Sequence, residues 1–311
     1  MGEEMRGVGG DTGWRKAIPE ERDRLQSRVL VWVVGLLLVG LSVDVVRAVP
    51  TFGVRFPVFV LEVFVLCAAF ALSVLKLLAA TVGGAVFGGI ICLLITFWTG
   101  IWTRSVVRSG LAPLVLLFLL TFLATRAGRQ RKARAGLGEK RQGRSAAQII
   151  ANLSVAGMCA SLRTAWLVNG ETSLPLGWAI LIMKTGCVAA LVEATADTVS
   201  SEIGQAFGGD PLLITGLCRV EPGTDGAVTL LGSCAGISSG ALVAVAAGWA
   251  IHLSTGATLT SLGAGVAGLF FDSFLGATME RRGWIGNDLV NFTSTLFAAV
   301  LAAVVYRFFA I

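Results

Sequence analysis

The sequence has few charged residues, a single histidine and no closely spaced pair of cysteines. Only 14% of its 311 residues are charged, whereas soluble proteins average about 25%, so an ordinary soluble domain is excluded. With His252 as the only histidine, His-rich metal sites and Ser–His dyads are not expected. None of the six cysteines forms a C-x-x-C motif, so we interpret them as small buried apolar residues rather than metal or redox ligands.

Long apolar runs take the place of the missing charge. Hydrophobic residues make up 55% of the chain, and the mean hydropathy is +0.80. A run of about 20 apolar residues is long enough to cross the roughly 30 Å hydrocarbon core of a bilayer. The pattern therefore predicts an all-α, polytopic transmembrane helical bundle of about nine spans. We place these spans at residues 29–47, 56–78, 81–102, 111–124, 148–168, 177–196, 227–252, 257–276 and 289–308.

The distribution of Lys and Arg predicts the orientation of the bundle. With the N-terminus in the cytoplasm, 18 of the 25 basic residues fall on the inner side and six on the outer side, and Lys184 lies within a span. This asymmetry follows the positive-inside rule. It also accounts for the net charge of +6, so we expect no nucleic-acid binding. We expect a multi-pass protein of the cell (inner) membrane with its polar motifs facing the cytoplasm.

The composition divides the chain into four regions. A cytoplasmic N-terminal segment (1–28) precedes the N-terminal transmembrane helices (29–124), which we expect to act as a scaffold or a lipid-facing wall. A basic cytoplasmic linker (125–144) then leads to the C-terminal transmembrane region (145–311). The last region holds most of the polar motifs, so we expect it to be the catalytic one.

Five polar segments fall on the predicted cytoplasmic side, whereas the outer connections are short and poor in charge. These segments are GRSAAQIIAN (143–152), DTVSSEIG (197–204), EPGTDGAVT (221–229), DSFLGATMERR (272–282) and GNDLVNF (286–292). We know of no packing reason for this asymmetry, so it indicates a site at the cytoplasmic end of the bundle.

Three of the polar segments begin predicted helices. Ser145, followed three residues later by glutamine, has the spacing of a capping box, and we expect Asp225 and Asn287 to cap the seventh and ninth spans. Free N–H groups at helix N-termini bind phosphate, and Gly223 and Gly226 would let an anion approach the backbone closely. Ordinary capping, without a ligand, explains each of these positions more simply when it is taken alone.

Two aspartates are predicted at or near the cytoplasmic C-terminal ends of spans. Asp197 follows the sixth span and Asp272 lies near the end of the eighth, where a carboxylate opposes the helix dipole. Within the membrane each would also need a partner, because an intramembrane ion is costly. An arginine would satisfy them, as would Mg²⁺, which prefers oxygen ligands, or exposure of the carboxylates to water.

Two further patterns are interpreted as packing. Small residues recur at every fourth position of the seventh span, at 232, 236, 240, 244 and 248, and such a stripe allows close approach of a neighbouring helix. Glu193 shares a helix face with Asp197, and we interpret Lys184 as its buried partner or that of Glu62.

The polar motifs together resemble the transmembrane protein 19 family. The resemblance rests on GRSAAQIIAN, DTVSSEIG, PGTDGAVTLLG, DSFLGATME and NDLVNF in that order, and covers roughly residues 75–309. The chain departs from the family at Val199, where an aromatic residue is frequent, at 225–227, where Asn-Gly-Gly is common, and at Glu280, where glutamine is usual. The family includes the phytyl-phosphate kinase of vitamin E synthesis and looks distantly related to phytol and dolichol kinases, which favour CTP.

The resemblance implies phosphoryl transfer from a nucleoside triphosphate, CTP or ATP, to a polyprenyl monophosphate such as phytyl or geranylgeranyl phosphate. The lipid tail would lie between helices with its phosphate at the cytoplasmic surface, and membrane lipid and Mg²⁺ are the other expected partners. Whether the protein forms a homodimer is left open. The expected catalytic residues and metal ligands are Asp197, Glu202 and Asp272. The expected substrate-binding residues are Arg144, Gln148, Asn152, Arg219, Gly223, Thr224, Asp225, Gly226 and Asn291.

Other functions are compatible with the same residues. A membrane transporter of a small anionic or lipid substrate would use intramembrane charges, but its polar residues should extend through the membrane depth. A cytidylyltransferase that makes a CDP-activated lipid would release pyrophosphate instead of a nucleoside diphosphate. A non-catalytic membrane scaffold would not need acidic residues at helix ends.

Overall fold

The computed structural model describes residues 18–134, 143–172 and 174–309. Most of the predicted N-terminal segment and residues 135–142 of the predicted basic linker lie outside the described residues. The described helices are α1 (Glu20–Arg55), α2 (Pro57–Lys76), α3 (Val82–Gly100), α4 (Leu111–Arg126), α5 (Arg129–Arg134), α6 (Ala146–Ala160), α7 (Leu162–Thr172), α8 (Leu176–Phe207), α9 (Leu230–Ala250), α10 (Thr255–Leu275) and α11 (Asn287–Phe309). A turn of π-helix, Gly276–Glu280, continues α10.

The prediction of an all-α membrane protein is confirmed. Within the described chain, seven helices are long and apolar enough to cross a bilayer: α1, α2, α3, α8, α9, α10 and α11. The fourth and fifth predicted spans correspond to the shorter apolar helices α4 and α6, of 16 and 15 residues. Both fall short of the roughly 20 residues that a perpendicular span needs, so nine spans stays a prediction.

Helix boundaries differ from the predicted ones at two places that affect the site. The predicted fifth span, 148–168, is divided into α6 and α7 because Ser161 adopts an extended backbone conformation. The predicted sixth span ends at residue 196, whereas α8 continues to Phe207. The placement of Asp197 at the end of its helix is therefore wrong, since ten further residues remain helical.

The centre of the bundle is α8, which is buried along most of its length. It packs against α6, α9, α10 and α11. The stripe of small residues on α9 faces it, as the packing interpretation requires: a Cβ atom at Gly236 would lie only 2.5 Å from Ala196 O, and one at Gly232 only 2.5 Å from Ser200 O. Helices α8 and α9 are thus in backbone contact beside Asp197.

The connections that carry the polar motifs meet at one end of the bundle. Ala80 and Arg144 form a parallel β-bridge between the α2–α3 connection and the start of α6. Gln26 Nε2 donates to Trp284 O at 2.9 Å, and Gly286 N donates to Gln26 Oε1 at 2.8 Å, which ties α1 to the α10–α11 connection. At the same end, a two-residue antiparallel pair of β1 (Leu212–Leu213) and β2 (Ala227–Val228) folds the α8–α9 connection back on itself.

The opposite end of the bundle has its own polar contacts. Arg163 donates two hydrogen bonds to Asp44, of 2.5 and 2.7 Å, and Arg108 lies over the Trp249 ring at 4.1 Å. Two ends with separate polar contacts are the arrangement expected of a membrane bundle. That the motif-bearing end faces the cytoplasm remains the prediction of the Lys and Arg distribution.

Candidate functional site

A polar cavity of about 390 Å³ lies at the motif-bearing end of the bundle, and we call it the polar pocket. All five polar segments contribute to its lining. Of the twelve residues predicted as catalytic or substrate-binding, eleven line it: Arg144, Gln148, Asn152, Asp197, Glu202, Gly223, Thr224, Asp225, Gly226, Asp272 and Asn291. The tertiary structure therefore brings together motifs that lie up to about 150 residues apart along the chain.

Helix α8 forms one wall of the polar pocket, because the DTVSSEIG motif is helical. Asp197 and Thr198 lie one turn before Ser201 and Glu202, so the two pairs fall on one helix face, and all four residues line the polar pocket. Arg144 is close enough to Asp197 for a favourable electrostatic interaction. The motif thus supplies two carboxylates and two hydroxyls along a single side of α8.

Asp272 on α10 is held by two side chains of α11, one of which is bonded in turn by a side chain of α6. Ser294 Oγ donates to Asp272 Oδ2 at 3.0 Å. In the amide orientation that satisfies both neighbours, Asn291 Nδ2 lies 3.3 Å from Asp272 Oδ2, and Asn291 Oδ1 accepts from Asn152 Nδ2 at 3.2 Å. Asn152 Nδ2 also donates to Gln148 O at 2.8 Å. A hydrogen-bonded series of residues therefore orients the Asp272 carboxylate toward the pocket.

Glu193 lies one turn deeper than Asp197 and is fully buried. Its side chain passes over Gly268, where a Cβ atom would lie 2.6 Å from Glu193 Cγ. Glu193 Oε2 has no hydrogen-bond partner, and the carboxyl group interacts electrostatically with Asp197 and Asp272. A cation in the cavity would stabilise these interacting carboxylates.

The loop before α9 closes one side of the pocket. Gly226 has φ +76°, and its Cα lies so close to Ala277 on the π-turn that a side chain could not fit. Thr224 N donates to Glu221 O at 3.2 Å, and Ala227 N donates to Thr224 O at 3.0 Å. Burial raises the pKa of Asp225 to about 6, although the nearby Arg281 guanidinium acts to lower it. Asp225 is therefore a carboxylate that titrates near neutral pH.

Arg144 is fixed in place through its backbone. Arg144 N donates to Ala79 O at 2.9 Å, and Thr81 N donates to Arg144 O at 3.0 Å. This close approach needs glycine on both sides, because Cβ atoms at Gly84 and Gly143 would lie 2.6 Å from Arg144 O and 2.7 Å from Ala80 N. Immediately after it, Ser145 and Gln148 form the predicted capping box.

The structure corrects the two other predicted caps. Thr229, not Asp225, caps α9, since its side chain accepts from Gly232 N at 3.1 Å. Asn287 is already the first residue of α11, and the amide groups of Leu289 and Val290 donate to Gly286 O. Asp225 is thus free of a capping role and lies in the pocket wall, while Asn287 also lines the pocket.

Two predicted site residues have partners that the sequence did not indicate. The Glu202 carboxylate forms an ion pair with Lys132 of α5, and the two side chains are only 10% and 6% exposed. Arg219 lies outside the polar pocket: it pairs with Asp210 at 3.0 Å on the surface, with 80% of its side chain exposed. The structure therefore neutralises Glu202 locally and separates Arg219 from the other predicted residues.

The pocket lining is strongly acidic. Its described residues include one basic side chain, Arg144, and five carboxylates: Asp197, Glu202, Asp225, Asp272 and Glu280. No three Asp, Glu, His or Cys residues of the described chain are grouped so as to hold a metal ion by themselves. Asp197, Glu202 and Asp272 therefore line one cavity without forming a preformed three-carboxylate site, and their role as metal ligands stays a prediction.

Among the residues that the structure adds to the predicted site, three bring a new charge or hydrogen bond. Glu280 lines the pocket from the π-turn, Ser294 binds Asp272, and Lys132 pairs with Glu202. Ser294 lies seven residues after Asn287 and so on the same face of α11, a spacing that was visible in the sequence. No local pattern indicated Lys132, because it is one of eight basic residues between 126 and 144.

Comparison with known proteins places the chain among membrane proteins of archaea, cyanobacteria and plants. It is 31% identical to an uncharacterised membrane protein of Methanocaldococcus jannaschii over 200 residues, covering 63% of this chain and 77% of that one. It is 32% identical to an uncharacterised membrane protein of Synechocystis over 204 residues, covering 65% and 75%. The chloroplastic protein VTE6 of Arabidopsis thaliana is 27% identical over 209 residues, covering 66% and 61%.

No solved structure shows a significant match to this chain. The model of the family described as integral membrane protein DUF92 matches residues 65–299. This range includes every segment that lines the polar pocket, and it agrees with the resemblance carried by the five polar motifs. The chain belongs to the DUF92 family of integral membrane proteins.

Proposed function

We propose that this protein is a membrane-embedded isoprenyl-phosphate kinase, which transfers a phosphoryl group from CTP or ATP to a polyprenyl monophosphate. The observation that carries the proposal is the acidic polar pocket, lined by five carboxylates and one arginine. These carboxylates would repel a bare triphosphate, whereas a triphosphate that carries Mg²⁺ brings the cation that they need. The pocket lies at the end that we expect to face the cytoplasm.

Family membership supports the same class of reaction. The five motifs that line the pocket are those on which the family resemblance rests, and that family includes the phytyl-phosphate kinase of vitamin E synthesis. The chain also matches the plant protein VTE6 over 66% of its own length. Phytyl and geranylgeranyl phosphate are therefore the acceptors that we would test first.

The donor atoms of the pocket fit Mg²⁺. Asp197 and Asp272 line it, and the buried Glu193 Oε2 beneath them has no hydrogen-bond partner. Mg²⁺ is usually held by one or two carboxylates together with substrate phosphates, so a preformed group of three acidic ligands is not required. The bound ion would neutralise charge on the donor phosphates. Because Glu202 is already paired with Lys132, we assign this role first to Asp197 and Asp272.

The remaining residues would bind and orient the reactants. Arg144 and the backbone of the 223–226 loop would bind phosphate oxygens, while Asn152 and Asn291 hold the Asp272 carboxylate in one orientation. The acceptor monophosphate has its second pKa near 6, so at pH 7 its oxygen is mostly ionised and needs no general base. That oxygen forms a bond to the γ-phosphorus, the bond from this phosphorus to the bridging oxygen breaks, and the nucleoside diphosphate leaves with the electron pair.

The test is a reaction in detergent with purified protein, Mg²⁺, CTP or ATP, and phytyl or geranylgeranyl monophosphate. Lipid diphosphate and nucleoside diphosphate are both followed by mass spectrometry. We expect equal amounts of the two products from the natural sequence and none from Asp197→Asn. The matched control is Asp210→Asn, since Asp210 is an exposed aspartate outside the pocket.

The products separate this proposal from the other functions. A CDP-linked lipid with release of pyrophosphate would replace it with cytidylyl transfer. Absence of any lipid product from a folded protein, together with uptake of the lipid phosphate into vesicles, would replace it with transport. Full activity in Asp197→Asn would contradict the assignment of Mg²⁺ to this carboxylate.

A further inference from the structure

A second cavity, of about 720 Å³, opens beside the polar pocket between α2, α3, α4 and α6, and we call it the apolar cavity. Cavities of roughly 300–1,000 Å³ commonly hold small organic ligands. Apart from one end, its lining consists almost entirely of apolar side chains and glycine. It lies mainly among the N-terminal helices, which were expected to act as a scaffold or a lipid-facing wall.

The apolar cavity is elongated along the helix axes. On α4 it extends from Leu114 to Arg126, and twelve residues of helix span about 18 Å. Three aromatic rings form part of its wall: Phe70 and Phe118 make an edge-to-face contact with centroids 5.5 Å apart, and Phe118 and Phe122 stack at 5.5 Å. The shape suits one long apolar chain that lies parallel to the helices.

Positive charge is concentrated at the end of the apolar cavity that adjoins the polar pocket. The basic residues of its lining are Arg126, Arg129, Lys132 and Arg144. Arg144 and Glu202 line both cavities, so the two spaces meet at these side chains. A ligand with an apolar chain and an anionic end would match this charge distribution. Its anionic end would then lie next to the polar pocket, where the proposed Mg²⁺ binds.

We propose that the apolar cavity is the acceptor site, which binds the isoprenoid chain of the lipid monophosphate along α4 and places its phosphate beside Lys132 and Arg144. This inference rests on the proposed function for the identity of the lipid. The acceptor phosphate would then reach the polar pocket past Arg144, while the nucleotide enters from the polar side. The N-terminal helices accordingly select the lipid, and the depth of the cavity at Leu114 limits the length of chain that it accepts.

The binding site is tested directly, without turnover, by photo-crosslinking. The probe is geranylgeranyl monophosphate with a diazirine at the end of its chain, added to the full-length protein in detergent without nucleotide. We expect crosslinked peptides from α4 and α2, near Leu114 and Phe70. Unlabelled geranylgeranyl monophosphate should compete, whereas the alcohol geranylgeraniol and the two-chain lipid phosphatidic acid should compete at least tenfold less well.

A substitution that fills the cavity gives an independent test. Gly88 lines the apolar cavity, and the nearest atom to a Cβ built on it is Ile149 Cγ2, at 3.9 Å. Gly88→Phe should therefore place a ring in the cavity and lower binding of the probe at least tenfold, as measured by native mass spectrometry. The matched control is Gly40→Phe, because Gly40 is an exposed helical glycine with nothing within 4 Å of its Cβ position.

The outcomes distinguish this inference from the proposed function. Crosslinks confined to α9, α10 or α11, or equal binding by Gly88→Phe and the natural sequence, would overturn the acceptor site even in an active kinase. Equal competition by phosphatidic acid would also overturn it, since a general lipid groove would explain that result. Crosslinks on α4 in a protein that makes no lipid diphosphate would support the site and reject the kinase.

Discussion

Ser294 Oγ on α11 donates a 3.0 Å hydrogen bond to Asp272 Oδ2 on α10. The two residues lie 22 positions apart, on helices joined through the π-turn and the 281–286 connection. The bond fixes one oxygen of a carboxylate that we assign to Mg²⁺ binding. If Asp272 binds Mg²⁺ as proposed, Ser294 would be a positioning residue that acts on the metal through Asp272.

Removal of the Ser294 hydroxyl should lower the affinity for Mg²⁺ while the protein stays folded. Loss of a hydrogen-bond partner behind a metal ligand typically costs about 10–100-fold in metal affinity or activity. We therefore expect Ser294→Ala to raise the Mg²⁺ concentration for half-maximal activity by about tenfold, as measured by titration at saturating nucleotide. The control is Thr293→Ala, because Thr293 Oγ1 donates to Leu289 O of its own helix. Equal Mg²⁺ dependence in the two variants would contradict the positioning role.

The two arginines predicted to bind phosphate should differ sharply in importance. Arg144 lines the polar pocket, whereas Arg219 is paired with Asp210 on the surface. We expect Arg144→Ala to lower kcat/KM by about 100-fold, since a preorganised donor to developing charge is commonly worth that much. Arg219→Ala should lower it by about threefold or less, because exposed ion pairs contribute little. Steady-state kinetics of both variants tests this prediction. A larger loss of kcat/KM from Arg219→Ala than from Arg144→Ala would indicate that the nucleotide binds outside the polar pocket.

The buried ion pair of Lys132 and Glu202 should behave as a unit in folding. Lys132→Met leaves a buried carboxylate without its partner, which typically costs about 3–5 kcal/mol of stability. The double variant Lys132→Met, Glu202→Gln removes both charges and should recover most of that loss. Thermal unfolding in detergent of the natural sequence, Lys132→Met, Glu202→Gln and the double variant forms a double-mutant cycle. Additive effects would show that the two side chains are not coupled.

Asp225 should make stability depend on pH in a defined window. Its pKa is raised from 3.8 to about 6 by burial, so the folded protein holds this proton more tightly than the unfolded chain. The contribution of Asp225 is therefore greatest below about pH 4 and is lost as pH rises to about 6. Relative to Asp225→Asn, the natural sequence should lose stability across this interval and then reach a plateau.

The measurement for Asp225 is the difference in thermal midpoint between the natural sequence and Asp225→Asn at pH 4, 5, 6 and 7.5. Asp225 interacts electrostatically with Glu280, so the same comparison is also made in a Glu280→Gln background, where the difference reports Asp225 without this interacting carboxyl. A difference that is constant over the series would reject the raised pKa.

Several features of the fold were predictable from local sequence. The apolar runs indicated where the membrane helices lie, because a bilayer requires a minimum length of apolar chain whatever the neighbours are. The capping box at Ser145 and the packing stripe on α9 were also predictable, since each depends on spacing within one helix. The five polar motifs indicated one shared site because the predicted topology placed them on one side.

The extent of α8 was not predictable in the same way. The motif DTVSSEIG interrupts the apolar pattern, and polar residues after an apolar run usually indicate the end of a span. In the folded protein the motif stays helical to Phe207 because its polar face lines the pocket and its other face packs on α9. Tertiary contacts thus decided where the helix ends and placed Asp197 well inside it.

The sequence by itself determined the class of protein, its membrane helices and the side-chain types of the site, because these follow from composition and short-range spacing. Only the tertiary structure decided which charges meet. Glu202 pairs with Lys132 across 70 residues, Asn152 reaches Asn291 across 139, and Arg219 is left on the surface. Such pairings depend on how helices cross and how far connections reach, and no local pattern encodes those quantities. The apolar cavity beside the pocket has the same origin, since four separate helices form it.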